Sequence, residues 1–532
     1  SHPESPADGI PNAFFRTRRF IGGGDRRAVS GRVWGILRRW GQLWWWLERS
    51  RHPDKAATGD RSARPSDLVA NASSPARRYI GGGDRRAVSE RVWGILRRWG
   101  QLRWWLKRTS HPADQTNALP RGIVAADLMV VEGMGLGDVE AMFDGGRYRP
   151  APLDDAERRA LRQMEGHSLS HPEQPDWVRL NVQEWVAPHL REAYGEAWGR
   201  EIAALETPPP VDLRVNRLKA TVAEAQAALS REGIETETMR YAPDGLRLKR
   251  RLSVVGGGAF QNGLVEVQDE GSQLVAGLVD ARPGMQVADY CAGAGGKTLA
   301  MAAGMNNKGR VVAMDVLESR LDRSAQRLRR AGAHNVERRA LDGDNRKWLK
   351  RQAGAFDRVL VDAPCTGTGT WRRNPDGRWT LRPEDLAELV PKQAAILDAA
   401  ARLVKPGGGL VYATCSVLVP ENERQIEAFL ERHPDFASVP VADVWRDALG
   451  ADPPSEIGGP YLRLSPLRHG TDGFFAATLL RKGEEGSDHL HHPDRRRAQR
   501  GEAEGPDHAE AAHEEVPRLG HPSDGSARDG GE

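Results

Sequence analysis

The stretch Met285–Met305, MQVADYCAGAGGKTLAMAAGM, decides the fold. Its first six residues are a short apolar strand, its last nine (Lys297 onward) have helical character, and Cys291-Ala292-Gly293-Ala294-Gly295-Gly296-Lys297 joins them. Glycines let a backbone turn tightly and approach a ligand, and a helix start offers free N–H groups to a carboxylate or phosphate. The loop lacks the G-x-G-x-x-G spacing of dinucleotide sites, and although Gly296-Lys297-Thr298 supplies a G-K-T, Cys291 stands where a P-loop has its first glycine. Downstream, RVVAMD, NVERRAL, DRVLVD and GLVYATC repeat the pattern of a short apolar strand followed by a helical segment. Strands separated by helices imply an α/β domain with a parallel, doubly wound sheet. Ligands of such sheets sit at the carboxyl ends of the strands.

Those ends carry the chemically distinctive residues. The second strand ends in Asp315, placed to accept hydrogen bonds from ribose hydroxyls. The third ends in Asp342, with Asp344 as a competing match, suited to an adenine amino group. A glycine-rich loop followed by two acids, with no grip for a polyphosphate, describes S-adenosylmethionine better than NAD or ATP. Each aspartate could instead cap the helix that follows it. The fourth strand runs into Asp362-Ala363-Pro364-Cys365-Thr366-Gly367 and the fifth into Thr414-Cys415-Ser416. The only cysteines of the chain, Cys291, Cys365 and Cys415, therefore all fall on one rim of one sheet. A free cysteine is ordinarily a small buried hydrophobe. Two flanking one cleft suggest a thiolate that adds to carbon 6 of a pyrimidine, because carbon 5 is a poor nucleophile until that addition. The residues alone leave open which of the two thiols attacks.

Around this centre the chain has 532 residues, enough for two to four domains at roughly 100–200 residues each. No apolar run reaches the roughly 18–20 residues of a membrane span, and no signal peptide opens the chain, so neither a membrane nor secretion is expected. Three scattered cysteines exclude a disulfide framework and a metal knuckle, which points to a reducing, cytoplasmic setting and no metal. The formal charge of +4 conceals an asymmetry: residues 483–532 hold 13 acidic and 6 basic side chains, a net of −7, leaving +11 on the rest. A basic body with an acidic tail fits a polyanionic partner, most simply nucleic acid. The tail, from 483 to 532, is too poor in large apolar residues to repay ordering and is expected to be disordered, its histidines included.

The N-terminus contains a repeat with a period of 59 residues. FIGGGDRRAVSGRVWGILRRWGQLWWWL from Phe20 matches YIGGGDRRAVSERVWGILRRWGQLRWWL from Tyr79 at 25 of 28 positions. Each copy reads as one helix with an apolar stripe, its tryptophans on a buried face or free to stack bases. The first copy, in residues 1–75, has no evident core to join and is expected to pack poorly. Helical stripes continue through 76–205. After Pro208-Pro209-Pro210, residues 206–270 form a small α/β module, and 271–482 the sheet domain.

The motifs VQDEGSQL, CAGAGGKT, DAPCTGTGTWRRNPDGRW, YATCSVLVPENE and LRHGTDGFF together resemble the RsmB/Nop/Sun family of RNA 5-methylcytosine methyltransferases, over about Val211 to Lys482. The helical part with DRRAVSERVWGILRR is similar to the NusB-like RNA-binding domain of the RsmB branch, which acts on 16S rRNA. The resemblance implies a Rossmann-like S-adenosylmethionine-dependent methyltransferase domain. It makes Cys415 the nucleophile, and Cys365 the thiol that assists product release. It places S-adenosylmethionine on Cys291, Ala292, Gly293, Ala294, Gly295, Gly296, Lys297, Asp315, Asp342 and Asp362. Ala294 departs from the proline usual in that loop. On this reading Asp362 hydrogen-bonds the protonated ring nitrogen of a flipped cytosine. Arg372, Arg373, Arg378 and the run Arg346, Lys347, Lys350, Arg351 hold phosphates at the cleft. The expected substrate is rRNA, with tRNA as alternative, and the expected state is a monomer. A non-catalytic RNA-binding assembly factor would have lost a cysteine or broken the cofactor loop; a small-molecule methyltransferase would need neither two rim cysteines nor a separate helical region.

Overall fold

The computed structural model describes residues 93–112, 119–145, 150–341 and 346–483. The first repeat copy, Asp342, Asp344, the side chain of Arg346 and the acidic tail beyond 483 lie outside the described residues. The chain divides after Lys482 into two units, and the described helices and strands belong to the first.

A helical region comes first: α1 (Trp99–Arg108), α2 (Leu119–Val130), α3 (Leu136–Met142), α4 (Asp155–Arg162), α5 (Ala187–Tyr194) and α6 (Trp198–Glu206). The second repeat copy supplies its core: Ile95, Leu102, Trp105 and Leu106 pack on Ile123, Leu128 and Met129 of α2. Trp105 is fully buried and donates Nε1–H to the Leu169 carbonyl (3.0 Å), so this tryptophan serves packing, not base stacking.

The small module is a four-stranded antiparallel sheet of β1 (Asp212–Val215), β2 (Thr236–Thr238), β3 (Gly245–Leu248) and β4 (Val265–Val267), in the order β2-β3-β1-β4. Helix α7 (Val222–Arg231) starts on a capping box in which Thr221 and Glu224 satisfy each other's backbone N–H, as the T-x-x-E spacing predicts.

The third part is an eight-stranded mixed sheet, β5 (Gln286–Asp289), β6 (Arg310–Asp315), β7 (Val336–Ala340), β8 (Phe356–Asp362), β9 (Val404–Thr414), β10 (Phe436–Val439), β11 (Leu462–Leu464) and β12 (Phe474–Arg481). Its order is β10-β12-β9-β8-β5-β6-β7, with β11 also paired to β12. The five expected strands are the parallel ones, and β10, β11 and β12 close one edge antiparallel, as in a mixed doubly wound sheet. Apolar layers cover both faces. One gathers Leu274, Val287, Met301, Val311 and Trp445, the other Val312, Val359, Leu397, Tyr412 and Phe429. Helix α8 (Glu270–Gly277) precedes the sheet, α9 (Gly296–Gly304) follows β5, and α10 (Glu318–Ala331) follows β6. Leu321, Ser324, Leu328 and Ala331 form the buried stripe of α10, and Gly332 ends it in the left-handed conformation (φ 73°) that favours glycine.

A further core joins the helical region to the sheet domain. Val186, Leu190, Ile202 and Leu205 pack on Trp371, Leu381, Leu386 and Leu418, from the segments that follow β8 and β9. No helix among the described residues is long and apolar enough to cross a membrane.

Candidate active site

Strand register builds the site. Asp289 of β5 lies opposite Ala313 of β6 and Leu360 of β8, so Asp315, Cys291 and Asp362 share one level two residues further on. Asp362 is itself level with Ala413 of β9, which places Cys365 and Cys415 just beyond the same rim.

The loop after β5 has its shape fixed by backbone. Gly293 (φ 54°) and Gly295 (φ 80°) take the left-handed conformation, and a Cβ on Gly293 would project into open space. Asp315 Oδ2 accepts the Gly293 N–H (2.9 Å) while Oδ1 accepts that of Leu317 (2.8 Å). Arg327 donates to the Ala294 carbonyl (2.8 Å), so the departure at Ala294 leaves the loop anchored. Val316 and Leu317, among the few exposed large apolar side chains, stand beside Asp315. An open glycine edge, a helix start, an anchored acid and an apolar shoulder fit S-adenosylmethionine, with its sulfonium, carboxylate, ribose and purine.

Beneath the loop, Asp289 is buried and accepts the Thr298 hydroxyl (2.6 Å). Burial pushes its carboxyl up to about 7; the Thr298 bond works against that rise, and the neighbouring Asp362 charge adds to it. Lys297 forms an ion pair with Asp362 (Nζ–Oδ2 2.6 Å). Burial disfavours the ammonium, yet Asp362 overrides it and holds Lys297 above the usual lysine value, with Cys415 a further electrostatic partner.

Cys365 and Cys415 meet with their Sγ atoms 3.5 Å apart. The Cys365 thiol is pushed well up by its hydrogen bond to Cys415 and by burial, so it keeps its proton at neutral pH. Cys291 does not join the pair. It packs against the core that contains Val359 and Tyr412, and burial among Asp289, Asp362 and Asp315 pushes its thiol up as well.

Three arginines expected to hold phosphates are engaged inside the protein. Arg372 is buried and, with Arg373, forms ion pairs to Asp472; Arg373 also reaches Asp269 (2.8 Å). Arg378 is buried against Glu206 (2.9 Å) and the Asn181 carbonyl (2.9 Å). A charge in a loop reads as solvated until its partner is known, and these partners lie 99 to 197 residues away in sequence. The cluster ties three of the motifs together: Asp269 from VQDEGSQL, Arg372 and Arg373 from the loop after Cys365, and Asp472 from LRHGTDGFF. Lys347, Lys350 and Arg351 are exposed, as expected of phosphate contacts. Glu421 and Asn422, to which the sequence motifs assign no role, lie against the loops that carry the thiols. The signal available for them was the hydroxyl residue after each cysteine, Thr366 and Ser416. Among the described residues no group of three or more His, Cys, Asp or Glu could hold a metal ion.

A family model described as 16S rRNA methyltransferase RsmB/F matches residues 276–480, and one for the ferredoxin-like domain of RsmF/B-like methyltransferases matches 182–255. The probable ribosomal RNA small subunit methyltransferase B of Bacillus subtilis is 37% identical over 339 residues, 62% of this chain and 71% of that protein. The chain belongs to the RsmB/F methyltransferase family. The ribosomal RNA small subunit methyltransferase B of Klebsiella pneumoniae extends the match, at 32% identity, to 78% of this RsmB/F chain and 94% of its own length. Among solved structures, the crystal structure of PH0851 superposes with a TM-score of 0.64 at 27% identity, covering 78% of this chain and 95% of that one. As a member of the RsmB/F family the protein is an S-adenosylmethionine-dependent RNA methyltransferase, as the motifs implied.

Proposed function

We propose that the enzyme methylates carbon 5 of a cytosine in 16S rRNA through a covalent bond between Cys415 and carbon 6 of the base. The observation that carries this reading is the pair of thiols 3.5 Å apart at the rim that also bears Asp362 and the glycine loop. Methylating a ring carbon that is not nucleophilic requires a nucleophile to add first, and Cys415 is the thiol that has the Lys297 ammonium as an electrostatic partner.

When bound, S-adenosylmethionine supplies an electrophilic methyl group. Cys291 to Lys297, Asp315 and Asp362 would hold it, with Asp342 as a further ligand by family resemblance. The Cys415 thiolate forms a bond to carbon 6. Asp362, whose Oδ2 is steadied by Lys297, accepts a hydrogen bond from the ring nitrogen and keeps it protonated, so that this proton neutralises the electron pair that addition drives into the ring. After the methyl group has joined carbon 5, a base takes the carbon 5 proton and the carbon 6–sulfur bond breaks. Cys365, still carrying its proton 3.5 Å away, assists by protonating the departing Cys415 sulfur. The helical region and the exposed Lys347, Lys350 and Arg351 contribute to RNA binding. The small-subunit rRNA substrate for which the Bacillus and Klebsiella relatives are named supports rRNA over tRNA.

The test is methyl transfer from labelled S-adenosylmethionine to unmodified 16S rRNA and to tRNA, with denaturing gels for protein–RNA adducts. Cys415→Ala is expected to lose transfer by at least about a thousandfold. Cys365→Ala is expected to accumulate an adduct that survives the gel. Label entering tRNA in preference to 16S rRNA would overturn the substrate, and full activity in Cys415→Ala would overturn the mechanism.

A further inference from the structure

Glu421, the last residue of the 3-10 turn (Val419–Glu421) after Cys415, and Asn422, which follows it, are buried neighbours whose side chains reach in two directions. Glu421 Oε1 accepts the Thr366 N–H (2.8 Å) and the Gln393 Nε2–H (2.9 Å); the same Gln393 nitrogen donates to the Pro364 carbonyl (2.9 Å). Pro364 and Thr366 are the residues on either side of Cys365. Asn422 does the same for Cys415. Its Oδ1 accepts the Thr414 hydroxyl (2.6 Å) and its Nδ2–H donates to the Ser416 carbonyl (3.0 Å). The two halves meet at Glu421 Oε2, which accepts both the Thr366 hydroxyl (2.5 Å) and the Ser416 hydroxyl and so holds those two oxygens 3.1 Å apart. Two adjacent side chains therefore hold the flanks of both cysteines.

We infer that Glu421 and Asn422 act as a caliper, positioning residues that set the separation of the two thiols on which the proposed reaction depends. A single tie would leave one loop free to drift. The 3.5 Å contact spans loops from two different strands, and nothing covalent joins them. Gln393 extends the hold to the helix Pro383–Ala401 behind the cleft, so the spacing is referred to a rigid element and not to another loop. Glu421 also disfavours charge on Cys365, after the larger contributions of the Cys415 hydrogen bond and burial. The two residues touch neither reacting sulfur.

The inference rests on the reading of the thiol pair given above, but the spacing can be measured without it. Diamide oxidises two neighbouring thiols to a disulfide while itself being reduced to a hydrazine, so its rate with the RNA-free protein reports how often Cys365 and Cys415 meet. In Glu421→Gln one acceptor oxygen becomes a donor; in Asn422→Asp the donor to Ser416 is lost. Each is expected to slow formation of the Cys365–Cys415 disulfide about tenfold, with cofactor binding and the circular dichroism spectrum retained. In turnover each is expected to lower kcat ten- to a hundredfold with KM for S-adenosylmethionine and RNA within about twofold, because misplacement of about 1 Å carries that cost. Glu421→Gln is also expected to accumulate the gel-stable adduct, as Cys365→Ala does. Thr366→Val, which removes a single hydroxyl, provides a milder variant if either of the others fails to fold, with the same changes at smaller size. Disulfide rates equal to wild type in folded variants would overturn the caliper. Absence of an adduct in the Cys365→Ala control would instead overturn the catalytic reading, while the disulfide rates would still decide the spacing.

Discussion

The two halves of the cleft are built by different means. On the cofactor side, the loop after β5 is shaped by glycines, a helix start and one aspartate that captures two backbone N–H groups. On the thiol side, the geometry depends on side chains converging from the loops after β8 and β9, the turn Val419–Glu421 and the helix Pro383–Ala401. Local backbone chemistry writes itself into a short motif; convergence of distant side chains does not. The first half should therefore tolerate change outside its motif, whereas the second should be sensitive at residues that touch no substrate.

The sharpest way to break this contrast is Gly369→Ala. Gly369 donates to the Cys415 carbonyl (2.9 Å) and accepts from Gly473 N–H (2.8 Å), and an added Cβ would fall 2.1 Å from the Gly473 carbonyl oxygen. Backbone must move, and kcat is expected to fall about a hundredfold with the dissociation constant for S-adenosylmethionine unchanged. Calorimetric titration with the cofactor beside single-turnover methyl transfer checks both halves of that statement. On the other side, Asp315→Asn should do the reverse. It is expected to weaken cofactor binding about tenfold, the scale of one charged hydrogen bond, while transfer at saturating cofactor stays near wild type.

A smaller effect concerns stability. The folded Asp289 carboxyl titrates at about 7 and the unfolded one near 3.8. Between those values the folded chain holds the extra proton, so raising the pH through about 4 to 7 costs stability, and above 7 the loss is complete. Asp289→Asn removes this dependence. Its melting temperature relative to wild type is expected to climb by a few degrees from about pH 4.5 to 8, read by thermal denaturation in matched buffers.

The parallel strands and the glycine loop were legible because period, apolar runs and strand ends are local properties. The antiparallel edge of β10, β11 and β12 was not read, since short strands interrupted by helices and proline-rich turns lack that repeating rhythm. The meeting of Cys365 and Cys415 was legible only as a shared rim; the 3.5 Å contact required knowing that β8 and β9 are neighbours in register. Arg372 and Arg378 illustrate the opposite failure. In sequence they resemble a basic patch, but burial beside Asp472 and Glu206 turns them into internal ties.

The seam between the helical region and the loop after Cys365 has a consequence for biosynthesis. Trp379 donates to the Leu96 carbonyl (3.1 Å), and Gly100 lies so near its ring that a Cβ would stand 2.3 Å away. Leu96 leaves the ribosome 283 residues before Trp379, some tens of seconds at roughly 5–20 residues per second. During that interval α1 waits with one flank uncovered, and the surface that arrives to cover it is part of the segment that follows Cys365.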